Sequence, residues 1–366
     1  MDERALVVVF LRGGADGLSL VAPTRDDAYQ RARPTLAVKP GSGHRLDERF
    51  ELHPLLAPLG RWFDDGKLAV VPACGSDDDT RSHFSAQDLM DHGGATVSGG
   101  WLGRFLRHTQ GDGGAGVLPA VTLGAAVGES LRGAPSATAF SALTDLADDD
   151  DQRLLTGLET LTAGDALLGA PAAAALTASA RLNALRHAED HPAHGAEYPS
   201  TALHGDYARD FGARLRLVAR LIQAGVGLKA ACVDLDGWDS HFVQDSVLAP
   251  RLRALSHGLS AFATDLGRDL DRVSVVVISE FGRRVAENTS LGTDHGRGGA
   301  AFVLGGGVQG GVHGAWPGLK SDLLEGPGDV PMANDYRDVL WPVLQRHGAS
   351  SLATVFPGFT SSALPM

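Results

Sequence analysis

Six short apolar segments, well separated along the chain, constrain the fold more than any other feature of the sequence. Within the strand candidate Val273–Ser279, the run Ser274–Ile278 is nearly all β-branched, which is typical of a strand covered on both faces. The other strand candidates are Ala5–Leu11, Lys67–Ala73, Val117–Leu123, Leu228–Asp234 and Ala300–Leu304. Such continuous apolar runs favour a mostly parallel sheet that is buried on both faces.

Helical patterns fill much of the sequence between these segments. The helix candidates are Ala172–Ala188, Tyr207–Ala224, Val247–Leu270 and Asp335–His347. Strands that alternate with helices predict an α/β fold, here a doubly wound, mostly parallel sheet with helices on both faces. The 366 residues contain no internal repeat and no linker that divides the chain, so we expect a single domain over residues 1–366. Residues 148–199, rich in Ala, Asp and His, are expected to form a helical insertion or a cap.

Composition excludes several classes of partner. The net charge of −12 makes nucleic acid and anionic membrane surfaces unsuitable partners. No apolar run reaches the roughly 18 residues that a membrane helix needs, so we expect no membrane insertion. Cys74 and Cys232 are too few for a disulfide framework or a thiolate zinc site. The first residues enter a strand without a basic leader, which predicts either a cytoplasmic protein or a trimmed periplasmic or secreted form. The oligomeric state is left open.

Polar side chains follow the ends of the first two predicted strands. In "RGGADG", glycines surround Asp16 and allow a sharp turn, but the spacing is not that of a phosphate-binding loop. The next strand leads to Arg81, Ser82 and His83 at the start of a predicted helix. Ser82 is either a helix N-cap or a nucleophile, because the free N–H groups at a helix start favour both roles.

Three more strand ends carry acidic and histidine side chains. They are Asp234, Asp236, Asp239 and His241 in "VDLDGWDSHF", Glu280 and Arg283 in "SEFGRR", and Asp294 and His295 just before the last strand. Ligands of open α/β sheets bind at the carboxyl ends of strands, so this placement predicts a site. Carboxylates and imidazoles without thiolates suit one or two divalent cations, with zinc, manganese, magnesium, calcium and iron all open.

Five segments together resemble a known bacterial family. They are "LVVVFLRGGADGLSLVAP", "DDTRSHFSAQDLM", "DLDGWDSHF", "VVVISEFGRRVAEN" and "TDHGRGGAAFVLGGGVQGG". The chain is identified by them as a member of the family catalogued as domain of unknown function 1501, from about Val7 to Phe359. That family is distantly similar to the alkaline phosphatase and sulfatase superfamily. The resemblance implies an alkaline-phosphatase-like α/β core with a metal centre at the strand ends.

The resemblance also implies roles for individual residues. Asp16 matches the superfamily's first metal-binding Asp, and Ser82 matches its nucleophile. Asp239 and His241 match an Asp/His metal site, and His295 matches a distant His ligand. Asp294 is carried along as a further candidate ligand beside His295.

Three departures from the superfamily pattern limit this correspondence. Glu280 is followed by Phe281 where the superfamily has an Asp-His pair, which removes one imidazole. Asp239 and His241 are closer in sequence than is usual, so Asp236 is an alternative ligand. Cys74 is followed by Gly75 and Ser76, so the formylglycine signature of sulfatases is absent. The centre is therefore expected to hold two metals, one, or none.

The favoured function is a metal-dependent hydrolase that acts on a small phosphate or sulfate ester. Ser82 would attack the ester, and Arg81, Arg283 or Arg12 would bind its anionic oxygens. His83 would protonate the leaving group or pack beside the nucleophile. Two alternatives stay open: a non-catalytic member that binds a metal or another ligand, and a metalloenzyme of other chemistry, an amide hydrolase or a lyase, that uses water.

A single geometric expectation follows from these assignments. We expect the predicted site residues to converge in one pocket at the carboxyl edge of the sheet. They are Asp16, Ser82, Asp239, His241, Glu280 and His295.

Overall fold

A central mixed sheet organises the protein. The computed structural model describes residues 4–94, 98–110, 118–143, 156–157, 160–162, 164–165, 168–188, 191–199, 206–362 and 364–365. Nine strands of these residues belong to the central sheet: β1 (Ala5–Arg12), β5 (Leu68–Gly75), β6 (Ala120–Leu123), β7 (Thr138–Phe140), β8 (Ala230–Asp236), β9 (Val273–Ile278), β10 (Gly299–Gly305), β11 (Gly311–Val312) and β12 (Asn334–Asp335). A small second sheet contains β2 (Val21–Ala22), β3 (His44–Arg45) and β4 (Glu51–Leu52).

The strand order is β11-β5-β10-β9-β1-β8-β6-β7, with β12 paired to β5. Neighbouring strands are parallel except at β10, which is antiparallel to both β5 and β9. The predicted α/β fold with a mostly parallel sheet is therefore confirmed. Because β10 runs the opposite way, its first residue lies at the edge where the other long strands end. His295, which comes just before β10, thereby reaches the same edge as the side chains that follow β1, β5, β8 and β9.

Helices cover both faces of the sheet. They are α1 (Gly17–Leu20), α2 (Asp27–Ala32), α3 (Gly60–Asp64), α4 (His83–His92), α5 (Trp101–Gln110), α6 (Gly169–His187), α7 (Asp206–Gln223), α8 (Gln244–Leu266), α9 (Tyr336–Arg346) and α10 (Leu352–Val355). The four helices expected from periodicity correspond to α6, α7, α8 and α9. No described helix is long and apolar enough to cross a membrane.

Alternate residues of β1 enter two separate hydrophobic cores. Val7 and Val9 pack in the core that α7 and α8 cover, whereas Leu6 and Val8 pack in the core that α5 and α9 cover. Period-two side-chain alternation along a strand that is buried on both faces produces this split. The apolar strand segments are therefore explained by three layers, with the sheet between two layers of helices.

The predicted insertion at residues 148–199 is described in part. It includes α6 and a short 3₁₀ helix at Ala193–Gly195, while residues 148–155 lie outside the described residues. Ala193 N donates to the buried Asp265 of α8 at 2.7 Å, and Tyr198 Oη donates to the same carboxylate at 2.9 Å. The end of the segment is therefore fixed to the main body, and a single domain stays a prediction.

Candidate metal centre

Three imidazoles and one carboxylate meet at the carboxyl edge of the sheet. His83 is the first residue of α4 after β5, Asp239 and His241 follow β8, and His295 precedes β10. His241 Nε2 lies 3.1 Å from Asp239 Oδ1, and His295 Nε2 lies 3.3 Å from the same oxygen. His83 Nε2 lies 3.7 Å from Asp239 Oδ2. We call these four residues the histidine cluster.

His83 is oriented by Glu280, which follows β9 and is fully buried. His83 Nδ1 lies 2.8 Å from Glu280 Oε1, and the same oxygen accepts from Gly13 N at 2.8 Å. Burial would raise the pKa of Glu280, but hydrogen bonds from His83, Gln87 and backbone N–H groups bring it below its usual value. The ionised carboxylate can only accept, so the proton of His83 is on Nδ1 and the lone pair of Nε2 faces the cluster.

The other two imidazoles are held in the same way. His241 Nδ1 lies 3.2 Å from Asp294 Oδ1, and His295 Nδ1 lies 2.8 Å from the carbonyl oxygen of Arg81. Burial would raise the pKa of Asp294, but hydrogen bonds from His241 and Asn288 and the charge of Arg284 lower it. Both Nδ1 atoms therefore donate. In each imidazole the second nitrogen points to the cluster, which is how proteins orient histidine ligands of metals.

The facing nitrogens of the cluster lie close enough to share a proton or a metal ion. His241 Nε2 and His295 Nε2 are 2.9 Å apart, and in the neutral tautomers both present lone pairs. His83 Nε2 is buried and has no hydrogen-bond partner among the described residues. Two facing lone pairs and one buried acceptor without a donor are unfavourable unless a proton or a metal ion joins them. The donor set and its orientation fit a divalent metal.

Asp239 is the carboxylate of the cluster and remains 47% exposed. Arg283 Nη2 donates to Asp239 Oδ1 at 2.7 Å. Partial burial would raise the pKa of Asp239, but the hydrogen bond and charge of Arg283, together with His241 and His295, lower it. Asp239 is therefore ionised at neutral pH and open to solvent on one side.

The glycine pair after β1 allows the backbone to pass close to Asp239 and Phe281. Gly13 has φ 120°, and an added Cβ would lie 2.6 Å from the backbone nitrogen of Asp239. Gly14 has φ 64°, and an added Cβ would meet the ring of Phe281 at 2.4 Å. Both positions combine a left-handed backbone with close contact, so they need glycine. This explains the sequence "RGGADG" as a close backbone approach.

Asp16 does not join the cluster. It is fully buried, caps α1, and forms an ion pair with Arg33, whose Nη2 donates to Asp16 Oδ1 at 3.0 Å. Ser19 Oγ and Gln244 Nε2 donate to Asp16 Oδ2, each at 2.6 Å. Burial would raise the pKa of Asp16, but Arg33 and these hydrogen bonds lower it. Its acceptor positions are occupied by protein donors in this structure.

We expect Asp16→Asn to lower the free energy of unfolding by about 3–5 kcal/mol, because it leaves the buried Arg33 charge uncompensated. The matched control is Asp26→Asn at the partly exposed N-cap of α2, which we expect to cost at most about 1 kcal/mol. Urea denaturation measures both, and metal content per folded chain should stay unchanged. A stable Asp16→Asn protein that loses metal would instead identify Asp16 as a ligand.

The arginines expected to bind an anion are largely engaged by the protein. Arg283 is buried and donates to the carbonyls of Gly14 at 2.7 Å and Thr293 at 3.0 Å, besides Asp239. Arg81 has φ 57°, and its side chain pairs with the buried Asp329 while its carbonyl binds His295. These two side chains hold the frame of the cluster. In this conformation they do not offer a free guanidinium to an ester.

Two other predicted residues lie near the same edge but outside the cluster. Ser82 is the N-cap of α4, and its Oγ accepts a long hydrogen bond of 3.5 Å from Ser85 N. It directly precedes His83. Asp236 ends β8 at the surface, and partial desolvation of its carboxyl together with the nearby charge of Asp234 raises its pKa. Glu280 and Asp294 contact the cluster through His83 and His241 rather than as members of it.

Sequence reasoning missed the polar side chains that support the cluster. Gln87 donates to Glu280 Oε1 at 2.8 Å, and Asn288 Nδ2 donates to the carbonyl of His241 at 2.9 Å. Gln87 follows His83 by four residues, so the helical spacing places both on one face of α4 and could have indicated it. Asn288 comes from a segment without such a signal, because only tertiary folding brings it to His241.

Comparisons with known proteins agree with the sequence resemblance. Residues 3–340 match the family described as "Protein of unknown function (DUF1501)". A search of curated proteins finds no significant match.

Solved structures show broad, distant similarity. The lipoteichoic acid synthase LtaP from Listeria monocytogenes is 10% identical with a TM-score of 0.42, over 97% of this chain and 74% of that chain. Ps i-CgsB in complex with k-i-k-neocarrahexaose is 10% identical with a TM-score of 0.41, over 98% and 75%. An alkaline phosphatase superfamily protein from Vibrio parahaemolyticus is 9% identical with a TM-score of 0.36, over 85% and 62%. At this distance they assign no activity. The family match spans most of the sequence, and the protein belongs to the DUF1501 family.

Proposed function

We propose that this protein is a hydrolase of an anionic ester, of the phosphate or sulfate type, that depends on one divalent metal ion. The observation that carries the proposal is the set of three imidazole Nε2 atoms directed at one another, with His241 and His295 at 2.9 Å. Each has its other nitrogen fixed by a protein acceptor. Proteins orient metal-binding histidines in this way, with one ring nitrogen donating to a protein acceptor and the other free to bind the metal.

The histidine cluster would hold the ion, through His83, His241, His295 and Asp239. Three imidazoles and a carboxylate suit zinc or another transition metal better than calcium or magnesium, which prefer oxygen ligands. When bound, such an ion acts as a Lewis acid that stabilises negative charge on the ester oxygens. Asp16 is withheld by Arg33, so we assign one ion rather than the two of the superfamily pattern.

Ser82 is the nucleophile in this proposal. It stands next to His83, at the start of α4, where free N–H groups favour an anion. Its hydroxyl would attack the phosphorus or sulfur atom, forming an O–P or O–S bond as the bond to the leaving oxygen breaks, and the leaving oxygen would take a proton from solvent. Water would then cleave the bond to Ser82 and release phosphate or sulfate. Because Asp239 is assigned to the ion, the hydroxyl proton would pass to solvent, which reaches the exposed side of the cluster.

Exposed aromatic side chains beside the cluster guide the choice of assay substrate. Phe84 follows His83 and is 90% exposed, and Phe242 follows His241 and is 62% exposed. An aromatic ring of a substrate could pack against either exposed side chain. An aryl ester is therefore a suitable probe, because its ring can contact these side chains.

The test is hydrolysis of p-nitrophenyl phosphate and p-nitrophenyl sulfate by protein stripped with a chelator and reloaded with zinc, manganese or iron. We expect turnover only after reloading, with one ion per chain at saturation. The control is the same assay with His313→Ala, which removes a histidine outside the cluster. Absence of turnover with every metal and both esters would contradict the proposal.

A second candidate is a metalloenzyme that uses water on an uncharged substrate, such as an amide. Arg81 and Arg283 already donate to protein acceptors, so neither guanidinium is free to bind an anionic ester. This observation favours an uncharged substrate. Retention of activity by Ser82→Ala would favour this candidate.

A further inference from the structure

Gln87 joins the support of the histidine cluster to a second group of charges. It lies on α4, one turn after His83. Its Nε2 donates to Glu280 Oε1 at 2.8 Å, and its Oε1 accepts from Arg12 Nη1 at 3.3 Å. Neither Gln87 nor Arg12 takes part in the proposed ester hydrolysis.

The partners of Gln87 permit only one orientation of its amide. Arg12 can only donate, and the ionised Glu280 can only accept. An amide between a pure donor and a pure acceptor must turn its oxygen to the first and its nitrogen to the second. Gln87 is therefore fixed from both sides, and its N–H is directed at the oxygen that also binds His83 Nδ1.

Arg12 is itself held in place by several contacts. Its Nε donates to Asp234 Oδ2 at 3.0 Å, and its Nη1 lies 3.6 Å from Asp91 Oδ2. Its guanidinium carbon is 4.1 Å from the centre of the Phe10 ring. Arginine does not release its proton in proteins, so no proton passes from Arg12 through Gln87 to Glu280. The contacts of Arg12 instead fix the position of Gln87, and Gln87 fixes that of Glu280.

We infer that Gln87, clamped by Arg12, is a positioning residue that aims Glu280 at His83 and so sets the metal affinity of the histidine cluster. This rests on the proposed metal centre. Glu280 Oε1 accepts three hydrogen bonds, from Gly13 N, His83 Nδ1 and Gln87 Nε2. Gly13 donates through its backbone and His83 is a proposed metal ligand. Only the hydrogen bond from Gln87 can therefore be removed by a side-chain substitution that leaves the proposed ligands intact.

The experiment is titration of the chelator-stripped protein with Co²⁺, followed by visible absorption, which reports both affinity and ligand geometry. Gln87→Met keeps the length of the side chain and removes both hydrogen bonds. We expect its dissociation constant for Co²⁺ to rise by about tenfold or more, because groups that orient a metal-binding histidine contribute roughly 10–100-fold. The absorption bands should shift as well. Gln345→Met, the same change at an exposed position of α9, is the matched control and should leave both readouts unchanged.

Arg12→Lys tests the clamp, because it keeps the charge beside Asp234 and Asp91 but loses the guanidinium N–H to Gln87. We expect a smaller loss of affinity than for Gln87→Met, and no further loss when Arg12→Lys is added to Gln87→Met. This non-additivity would show that Arg12 acts through Gln87. A mere effect on folding would instead appear in the unfolding free energy and leave the spectrum of the folded protein unchanged.

The outcomes separate this inference from the proposed function. Unchanged affinity and spectrum in Gln87→Met, with Co²⁺ binding by the unmodified protein, would overturn the positioning role alone. Additive losses in the double variant would overturn the link to Arg12. Absence of Co²⁺ binding by the unmodified protein would overturn both the metal centre and this inference.

Discussion

Replacement of Ser82 by alanine is expected to lower turnover of an aryl ester by roughly a thousandfold or more, since the group that attacks the ester is lost. The same change should lower the free energy of unfolding by about 1 kcal/mol, since Ser82 also caps α4. Activity and stability must therefore be measured on the same protein.

The matched variant Ser82→Asp separates the two roles of the residue. Aspartate caps a helix as well as serine does, so we expect near-normal stability. It cannot provide the hydroxyl, so turnover should stay as low as in Ser82→Ala. Substantial activity in either variant would contradict a serine nucleophile and favour direct attack by water.

Replacement of His295 by alanine is expected to weaken binding of one zinc ion by at least about 100-fold, because even groups that only orient a ligand contribute roughly 10–100-fold. His295 Nε2 faces both His241 and Asp239, so its removal opens the centre of the cluster. Zinc content after dialysis, measured by elemental analysis, should fall from one ion per chain to near zero.

His313→Ala is the control for this experiment, because His313 binds a backbone carbonyl outside the cluster. It should retain one zinc ion per chain. Equal zinc content in His295→Ala and the unmodified protein would show that zinc binds elsewhere.

Much of the fold could be predicted because strands that are buried on both faces are apolar along most of their length. The run at Val273–Ile278 is apolar except for Ser274. Its alternate apolar residues enter two cores, so its composition reflects burial on both faces. The direction of β10 was not predictable in this way. An apolar strand has the same composition whether it runs parallel or antiparallel to its neighbours.

The candidate site could be predicted in outline because its side chains follow strand ends. Asp239, His241 and His295 lie together at one edge of the sheet. The role of His83 was not predictable, because it depends on the contact between its Nδ1 and Glu280. Its position at the start of α4 is equally compatible with a proton donor.

The displacement of Asp16 from the site has a physical cause that no motif reveals. Arg33 follows Asp16 by 17 residues, a separation that no helical or strand periodicity links. In the folded protein the two side chains are in contact and fully buried. A buried carboxylate with a buried arginine beside it is satisfied as an ion pair. Matching a sequence position to a superfamily ligand therefore does not fix the contacts of its side chain.

X-ray absorption spectroscopy at the zinc edge on the reloaded protein tests the metal centre most directly. The histidine cluster predicts a nitrogen and oxygen shell without sulfur, with outer-shell scattering from about three imidazoles and zinc–nitrogen distances of about 2.0–2.1 Å. The His295→Ala protein, loaded at high zinc concentration, should lose one imidazole from this signal. A spectrum without imidazole scattering, or one that His295→Ala leaves unchanged, would contradict metal binding by His83, His241 and His295.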